Sequence, residues 1–217
     1  SNDSFRDKFN SQQISPSVSA VSLGSGKTYI AAPSTDGKVY HWIVTSTGGS
    51  DFSVQTMTAL NPLDSSEISE IFSSAVLTDF DENGDVDIVV ASFNGAISVW
   101  KLYDGTTNTA VTPTIRNGFP YQTAGAIYSS PAVADVDEDN KLEIIVGNNN
   151  GSVYCLNDDG TLQYEAETDG DVFASPVVGD LDGEVELETV VESYDGKLYV
   201  WDSTGENLTG WPKNLQT

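Results

Sequence analysis

Three acidic segments of nine residues recur along the chain, and each is followed by the same kind of sequence. The segments are DFDENGDVD at 79–87, DVDEDNKLE at 135–143 and DLDGEVELE at 180–188. Each carries an oxygen-bearing side chain at its first, third, fifth and ninth positions. A loop that curls through about one turn would point these side chains inward at a hard cation such as calcium. The repetition in register indicates a chain built from copies of one structural unit.

The residues after each segment exclude the helix-loop-helix calcium hand. That motif requires a bidentate Glu at the twelfth loop position and a helix on either side. The twelfth positions here are Val90, Val146 and Val191, and each ends a run typical of a strand: IVV, IIV or TVV. The acidic loops are therefore predicted to join strand to strand.

Each unit continues with a hairpin signal. An Asn-Gly or Asp-Gly pair, which favours a tight turn with positive φ, follows the acidic loop and precedes another apolar strand. The turn glycines Gly37, Gly95, Gly151 and Gly196 recur every 45 to 58 residues, the length of one four-stranded propeller blade with variable loops. The copy at Gly37 lacks the acidic loop.

The strand after each turn is apolar on both of its alternating faces, as expected where propeller blades pack face to face. A two-sheet sandwich usually buries one face of each strand and accounts for this pattern less well. The predicted fold class is all-β: a β-propeller of four-stranded antiparallel blades, with four blades in this chain.

These loops, with the strand and hairpin that follow and the Gly-Trp-Pro closure at 210–212, resemble the FG-GAP/VCBS repeats of integrin-α-like β-propellers. The resemblance spans roughly residues 15–217. In that family the loop binds Ca²⁺ through side chains one, three, five and nine and the backbone carbonyl of position seven. The implied ligands are Asp79, Asp81, Asn83, Asp85 and Asp87 in the first loop; Asp135, Asp137, Asp139, Lys141 and Glu143 in the second; and Asp180, Asp182, Glu184, Glu186 and Glu188 in the third.

The sixth position distinguishes the three loops. It is Gly84 in the first loop, Asn140 in the second and Val185 in the third. If positive φ is needed there, Gly is best, Asn is tolerated and a β-branched residue is strained. The sequence therefore predicts two Ca²⁺ sites and a weaker or empty third, with affinity falling from the first loop to the third.

The predicted organisation is an N-terminal extension or linker at 1–14, with a cloning scar suggested at 1–2, followed by the propeller at 15–217. Its repeats are expected at about 15–60, 72–121, 128–168 and 173–217. The sequence leaves open whether four blades close alone or belong to a larger propeller, and it does not give the oligomeric state.

A formal net charge of −24, with nine Lys and Arg, argues against nucleic acid or an anionic membrane as a partner. No apolar run approaches the length of a membrane span, so direct membrane insertion is not expected. Calcium sites of moderate affinity fill where calcium is millimolar, which predicts an extracellular, cell-surface or periplasmic protein.

Few residues in the chain suit catalysis. His41 is the only histidine and Cys155 the only cysteine, and both stand in strands at otherwise apolar positions. We therefore expect no enzyme and assign no catalytic residue. The leading prediction is a protein-interaction or adhesion module of a larger extracellular protein. The alternative is a lectin-like propeller that binds glycans, for which the candidate aromatic residues are Tyr40, Tyr154, Tyr199 and Trp211; a propeller-type polysaccharide lyase or quinoprotein comes third.

Overall fold

A computed structural model describes residues 16–62 and 69–215, and in this part of the chain all the regular structure is β. The strands form four antiparallel sheets that follow one another along the chain, which confirms the predicted all-β propeller architecture. The extension expected at 1–14 lies outside the described residues. Nothing in the two described ranges is a helix long and apolar enough to cross a membrane.

The four sheets are called blades 1 to 4. Blade 1 contains β1 (Ser19–Gly24), β2 (Lys27–Pro33), β3 (Val39–Gly48) and β4 (Asp51–Thr56). Blade 2 contains β5 (Val76–Thr78), β6 (Val86–Ala91), β7 (Ala96–Asp104) and β8 (Thr109–Ile115), with the short β9 (Tyr121–Gln122) also paired to β7. Blade 3 contains β10 (Ala132–Ala134), β11 (Glu143–Gly147), β12 (Ser152–Leu156) and β13 (Leu162–Glu167). Blade 4 contains β14 (Val177–Gly179), β15 (Glu188–Glu192), β16 (Lys197–Trp201) and β17 (Lys213–Asn214).

The acidic segments connect the first and second strands of blades 2, 3 and 4. In each case the ninth-position acid lies in the second strand, opposite the residue that immediately precedes the loop: Thr78 pairs with Asp87, Ala134 with Glu143 and Gly179 with Glu188. The strand pairing therefore closes each loop at its base. In blade 1 a tight connection between β1 and β2 takes the place of the acidic loop.

Apolar side chains pack between successive blades. The β-branched strands β6 and β11 are buried along their whole length because both of their faces are covered. One cluster joins blades 1 and 2, a second joins blades 2 and 3, and a third joins blades 3 and 4. The core of the molecule is thus a series of interfaces between blades.

A series of serine hydrogen bonds also connects the blades. The backbone N–H of Ser17 donates to Ser74 Oγ at 3.0 Å, that of Ser74 to Ser130 Oγ at 2.9 Å, and that of Ser130 to Ser175 Oγ at 2.9 Å. Ser74, Ser130 and Ser175 each stand five residues before the first acid of a loop. The same contact therefore fixes each blade, and with it each acidic loop, against the next.

Candidate metal centre

The ninth-position acid is the anchor of each loop. Asp87, Glu143 and Glu188 are 0%, 1% and 2% exposed. Each accepts a hydrogen bond from the backbone N–H of the second loop position: Phe80 to Asp87 at 3.0 Å, Val136 to Glu143 at 2.9 Å and Leu181 to Glu188 at 2.7 Å. A backbone N–H of the same loop thus binds one oxygen of each ninth-position acid and fixes that acid on the buried side of the loop.

Three carboxylates converge in every loop, from positions one, three and nine. Their ligand atoms lie within 4.8 Å of one another in each of three groups: Asp79, Asp81 and Asp87; Asp135, Asp137 and Glu143; Asp180, Asp182 and Glu188. A divalent cation at the centre of such a group would contact all three side chains. The structure therefore brings together nine of the fifteen residues that the sequence singles out.

The position-five side chains of the first two loops accept hydrogen bonds from within their own loops. Asn83 Oδ1 accepts a hydrogen bond from the N–H of Asp85 at 2.8 Å, and Asp139 Oδ1 accepts the equivalent bond from Lys141 at 2.9 Å. Glu184 is exposed. Positions five in the first two loops thus shape the turn.

The position-seven side chains point away from the clusters in the first two loops. Asp85 forms an ion pair with Lys101 and accepts a hydrogen bond from the N–H of Gly105 at 3.0 Å. Lys141 Nζ lies 3.3 Å from Asp158 Oδ1, outside its own loop. Glu186 in the third loop is exposed. This is compatible with the family pattern, in which position seven contributes its backbone carbonyl.

The backbone of the third loop differs from that of the other two, and the expectation that Val185 has positive φ is wrong. Positions four and six have positive φ in the first loop (Glu82 and Gly84) and in the second (Glu138 and Asn140). In the third loop Gly183, at position four, has φ of +85°, and Val185 is not among the positive-φ residues. The Gly183 N–H also takes over the bond to the first acid, Asp180, at 2.7 Å. The third loop therefore has positive φ at position four but not at position six, and Val185 is not strained.

Cationic side chains already neutralise part of the first loop. Arg116, directly after β8, donates from Nε to Asp87 Oδ1 at 3.0 Å and from a terminal nitrogen to Asp87 Oδ2 at 2.8 Å. Its other terminal nitrogen lies 2.5 Å from Asp81 Oδ2. Burial raises the pKa of the Asp87 carboxyl, while the hydrogen bonds from Arg116 oppose that rise. Sequence reasoning missed Arg116, which lies 29 residues beyond Asp87.

The second loop has no such compensation. Within 16–62 and 69–215 no ion pair involves its three clustered acids. Asp135 Oδ1 is buried without a hydrogen-bond partner. Burial, and then the charges of Asp137, Asp139 and Asp135, raise the pKa of Glu143 to about 7. Besides backbone N–H groups, the neutral side chain of Gln163 donates to the cluster, with its Nε2 3.2 Å from Asp137 Oδ2. A buried carboxylate oxygen with no partner fits a metal ligand.

A second candidate surface is a strip of aromatic rings across blades 2, 3 and 4. Its contacts run Phe93–Phe72–Tyr128–Phe173–Tyr194, with ring centroids 5.2 to 6.0 Å apart along this path. Phe173 is 43% and Tyr194 83% exposed. We call these five residues the aromatic strip. Its sequence signal is that Phe72, Tyr128 and Phe173 each stand seven residues before the first acid of a loop.

The aromatic residues predicted from the sequence to bind glycans lie elsewhere. Tyr154 and Tyr199 are buried at 3% and 5% exposure, so neither offers a ring face to a ligand. Tyr40 is half-buried and donates to Asp36 Oδ2 at 2.8 Å. Trp211 is half-buried, with Lys213 Nζ 5.8 Å from its ring centroid.

Comparisons with known proteins agree with this architecture. Residues 79–146, which contain the first two acidic loops, match the model of the FG-GAP-like repeat. Two solved structures with similar folds are BBS1N in complex with ARL6DN (18% identity, TM-score 0.57) and BamB from Moraxella catarrhalis (15% identity, TM-score 0.55). The search of curated proteins found no match.

These neighbours are β-propeller proteins, and the likeness extends over 94% and 93% of the chain. It spans 58% of the length of the BBS1N chain and 49% of the BamB chain. At this identity the likeness shows the fold alone. The class of protein is therefore a β-propeller, and residues 79–146 are similar to an FG-GAP-like repeat.

Proposed function

We propose that this protein is a calcium-binding β-propeller that acts as a protein-interaction or adhesion module, with the second acidic loop as its principal metal site. The observation that carries the proposal is the uncompensated cluster of Asp135, Asp137 and Glu143, in which Asp135 Oδ1 is buried without a partner. Acidic residues alone occur on many surfaces. A buried oxygen left unpaired costs free energy and calls for a cation.

The ion would be held by Asp135, Asp137 and Glu143. Its positive charge would offset the mutual repulsion of these three carboxylates. Asp135 follows β10 directly and Glu143 begins β11. A shared ion would therefore link the two strands and stabilise the blade. A ligand that binds only the native state stabilises it by about 2.7 kcal/mol at a hundredfold excess over Kd.

The test is thermal unfolding with calcium and with chelator. We expect chelator to lower the Tm and Asp135→Asn to abolish most of that response. The matched control is Glu138→Gln, which removes one charge from the same loop at an exposed position outside the cluster. Magnesium should substitute poorly because it dehydrates reluctantly and requires a tighter octahedron. A melting curve unchanged by calcium and by chelator would refute the metal site.

Several features support a binding role for the module. We assign no catalytic residue: His41, the one histidine of the sequence, is 2% exposed and hydrogen-bonded within blade 1. One structural neighbour, BBS1N, was solved in complex with the protein ARL6. By analogy we propose that loops at the rims of the blades contact a protein partner. The calcium requirement favours a compartment with millimolar calcium, outside the cell or in the periplasm.

The aromatic strip favours glycan binding as a second candidate function. Phe173, Glu192 and Tyr194 line a cavity of about 200 Å³ together with Ala174 and Ser193. An exposed ring beside a carboxylate can stack on a sugar face while the carboxylate accepts hydroxyl hydrogen bonds.

A glycan array tests this candidate and separates it from a protein partner. If glycans bind here, Tyr194→Ala should abolish the signal and Phe52→Ala should leave it unchanged. Phe52 is also exposed, at 65%, but lies in blade 1 outside the strip. A glycan signal that survives Tyr194→Ala would place the site elsewhere, and turnover of a polysaccharide would contradict the assignment of a module without catalysis.

A further inference from the structure

We propose that Arg116 takes the place of a metal ion in the acidic loop 79–87, so that this loop is closed by an internal cation while loop 135–143 binds calcium. The part that concerns loop 135–143 rests on the proposed function. The part that concerns Arg116 is independent of it. The proposal reverses the order of affinity that the sequence predicts for the first two loops.

The guanidinium occupies the oxygens that a metal would need. Arg116 contacts both oxygens of Asp87, at 3.0 and 2.8 Å, and one oxygen of Asp81, at 2.5 Å. These are two of the three carboxylates that converge in the first loop. The third, Asp79, already accepts the N–H groups of Asn83 at 2.9 Å and Gly84 at 2.7 Å. A calcium ion could enter only by displacing the guanidinium from the same oxygens.

An arginine suits this position better than a lysine would. Its planar fork matches the two oxygens of Asp87, and bidentate pairs of this kind are among the stronger hydrogen bonds in proteins. Asp87 is fully buried, so removing its partner would leave an isolated buried charge. The side chain of Arg116 is itself 19% exposed. Its guanidinium therefore lies between the buried carboxylate of Asp87 and the more exposed carboxylate of Asp81.

At the position of Arg116 in its blade, the fold places a cation beside the first loop and not beside the second or third. The Arg116 N–H donates to Val99 O at 2.9 Å, which fixes the residue opposite Val99 of β7. In blade 3 the corresponding pair is Tyr164 with Cys155, and in blade 4 it is Leu208 with Val200. The Tyr164 hydroxyl bonds Thr189 Oγ1 at 2.9 Å. The second and third loops therefore lack an internal cation at this register.

A second cation beside the first loop provides a matched control. Lys101 of β7 pairs with Asp85, whose side chain lies outside the carboxylate cluster. Lys101→Gln removes the same charge from the same loop without vacating the cluster. Any general effect of the more negative potential will therefore appear in this variant as well.

The experiment is a calorimetric calcium titration of the full chain and of Arg116→Gln, Lys101→Gln and Asp81→Asn. We expect Asp81→Asn to leave the number of calcium-binding events unchanged. Arg116→Gln should add one event, and adding Asp81→Asn to that variant should remove it again. Lys101→Gln should add none.

Thermal unfolding gives a second readout that does not require a complete titration. In chelator, Arg116→Gln should melt lower than the parent by roughly 10 °C, because Asp87 loses its buried partner. Calcium should recover more of the Tm in Arg116→Gln than in the parent. If Arg116→Gln does not fold, Arg116→Lys keeps the charge without the fork and should gain a weak calcium event.

Two results would overturn the proposal: loss of a calcium event on Asp81→Asn in the otherwise unaltered chain, or a folded Arg116→Gln protein that gains no event. The outcomes remain separate from those of the proposed function. A parent protein that binds no calcium refutes the metal site in loop 135–143. A gained event in Arg116→Gln would still establish that the arginine occupies the first loop.

Discussion

At the scale of single residues, His41 shows how a polar side chain is used for structure. It is 2% exposed and lies in β3. Nε2 lies 2.6 Å from the carbonyl oxygen of Thr58, which can only accept, so Nε2 carries the proton. Nδ1 then accepts a hydrogen bond from the Tyr29 hydroxyl at 2.5 Å. The neutral ring thus connects β2, β3 and the segment after β4.

This arrangement predicts a pH dependence of stability. Burial lowers the pKa of His41, so below about pH 6.5 the unfolded chain binds a proton that the folded chain resists. The stability that depends on the neutral ring is present above that pH and is lost as the pH falls towards the lowered pKa. His41→Gln should therefore lose less stability between pH 7.5 and pH 5.5 than the parent does, as measured by urea unfolding at both pH values. The raised pKa of Glu143 is common to both proteins, so an equal loss in the two would contradict this account.

At the scale of the strands and loops, local patterns were sufficient to predict the blades. The acidic loops, the β-branched strands after them and the Asn-Gly or Asp-Gly turns are read within a few adjacent residues, and the structure has a strand–loop–strand–turn–strand order at each of the three loops. What the sequence did not reveal depends on contacts between distant residues. Arg116 reaches Asp87 only because of the register between β7 and β8, which no local pattern specifies. The course of the third loop was also mispredicted, because positive φ at Gly183 is not followed by positive φ at Val185.

A close contact between loops gives a prediction at this scale. Gly118 has φ of +86°, and a Cβ there would lie 1.8 Å from the carbonyl oxygen of Asp159 in blade 3. Gly196 has nearly the same φ, +82°, but a Cβ there would meet nothing within 4 Å. Gly196→Ala should cost about 1 kcal/mol of unfolding free energy for the left-handed backbone alone. Gly118→Ala should cost roughly 1 to 3 kcal/mol more, because one of the two backbones must move.

Urea unfolding of the two alanine variants measures this difference directly. Because both substitutions add the same methyl group at the same backbone conformation, the strain of positive φ cancels in the comparison. Equal destabilisation would mean that the loops containing Gly118 and Asp159 can move apart without lowering the free energy of unfolding. In that case the contact at Gly118 would not help to fix Arg116, two residues earlier, beside the first acidic loop.

At the scale of the whole molecule, stability is distributed unevenly along the series of blades. Blades 2 and 3 are packed on both faces, and β6, β11 and β12 are buried throughout. Blade 1 ends in β4, which is exposed along its entire length. Blade 4 exposes Val177 at 64%, whereas the corresponding Val76 and Ala132 of blades 2 and 3 are half-buried. In a repeat architecture the elements with fewer neighbours open first.

Amide hydrogen exchange should reproduce this gradient and also report on the acidic loops. Peptides from β6, β11 and β12 should exchange slowest and those from β4 fastest, since opening the central strands requires two interfaces to separate.

Chelation should then accelerate amide exchange across 132–147, where the negative charge of the carboxylates is offset by the bound metal. It should have little effect across 76–91, where Arg116 supplies the charge within the chain. A chelator response larger in 76–91 than in 132–147 would reverse these roles, because the loop that loses protection is the one whose carboxylates had been held by the ion.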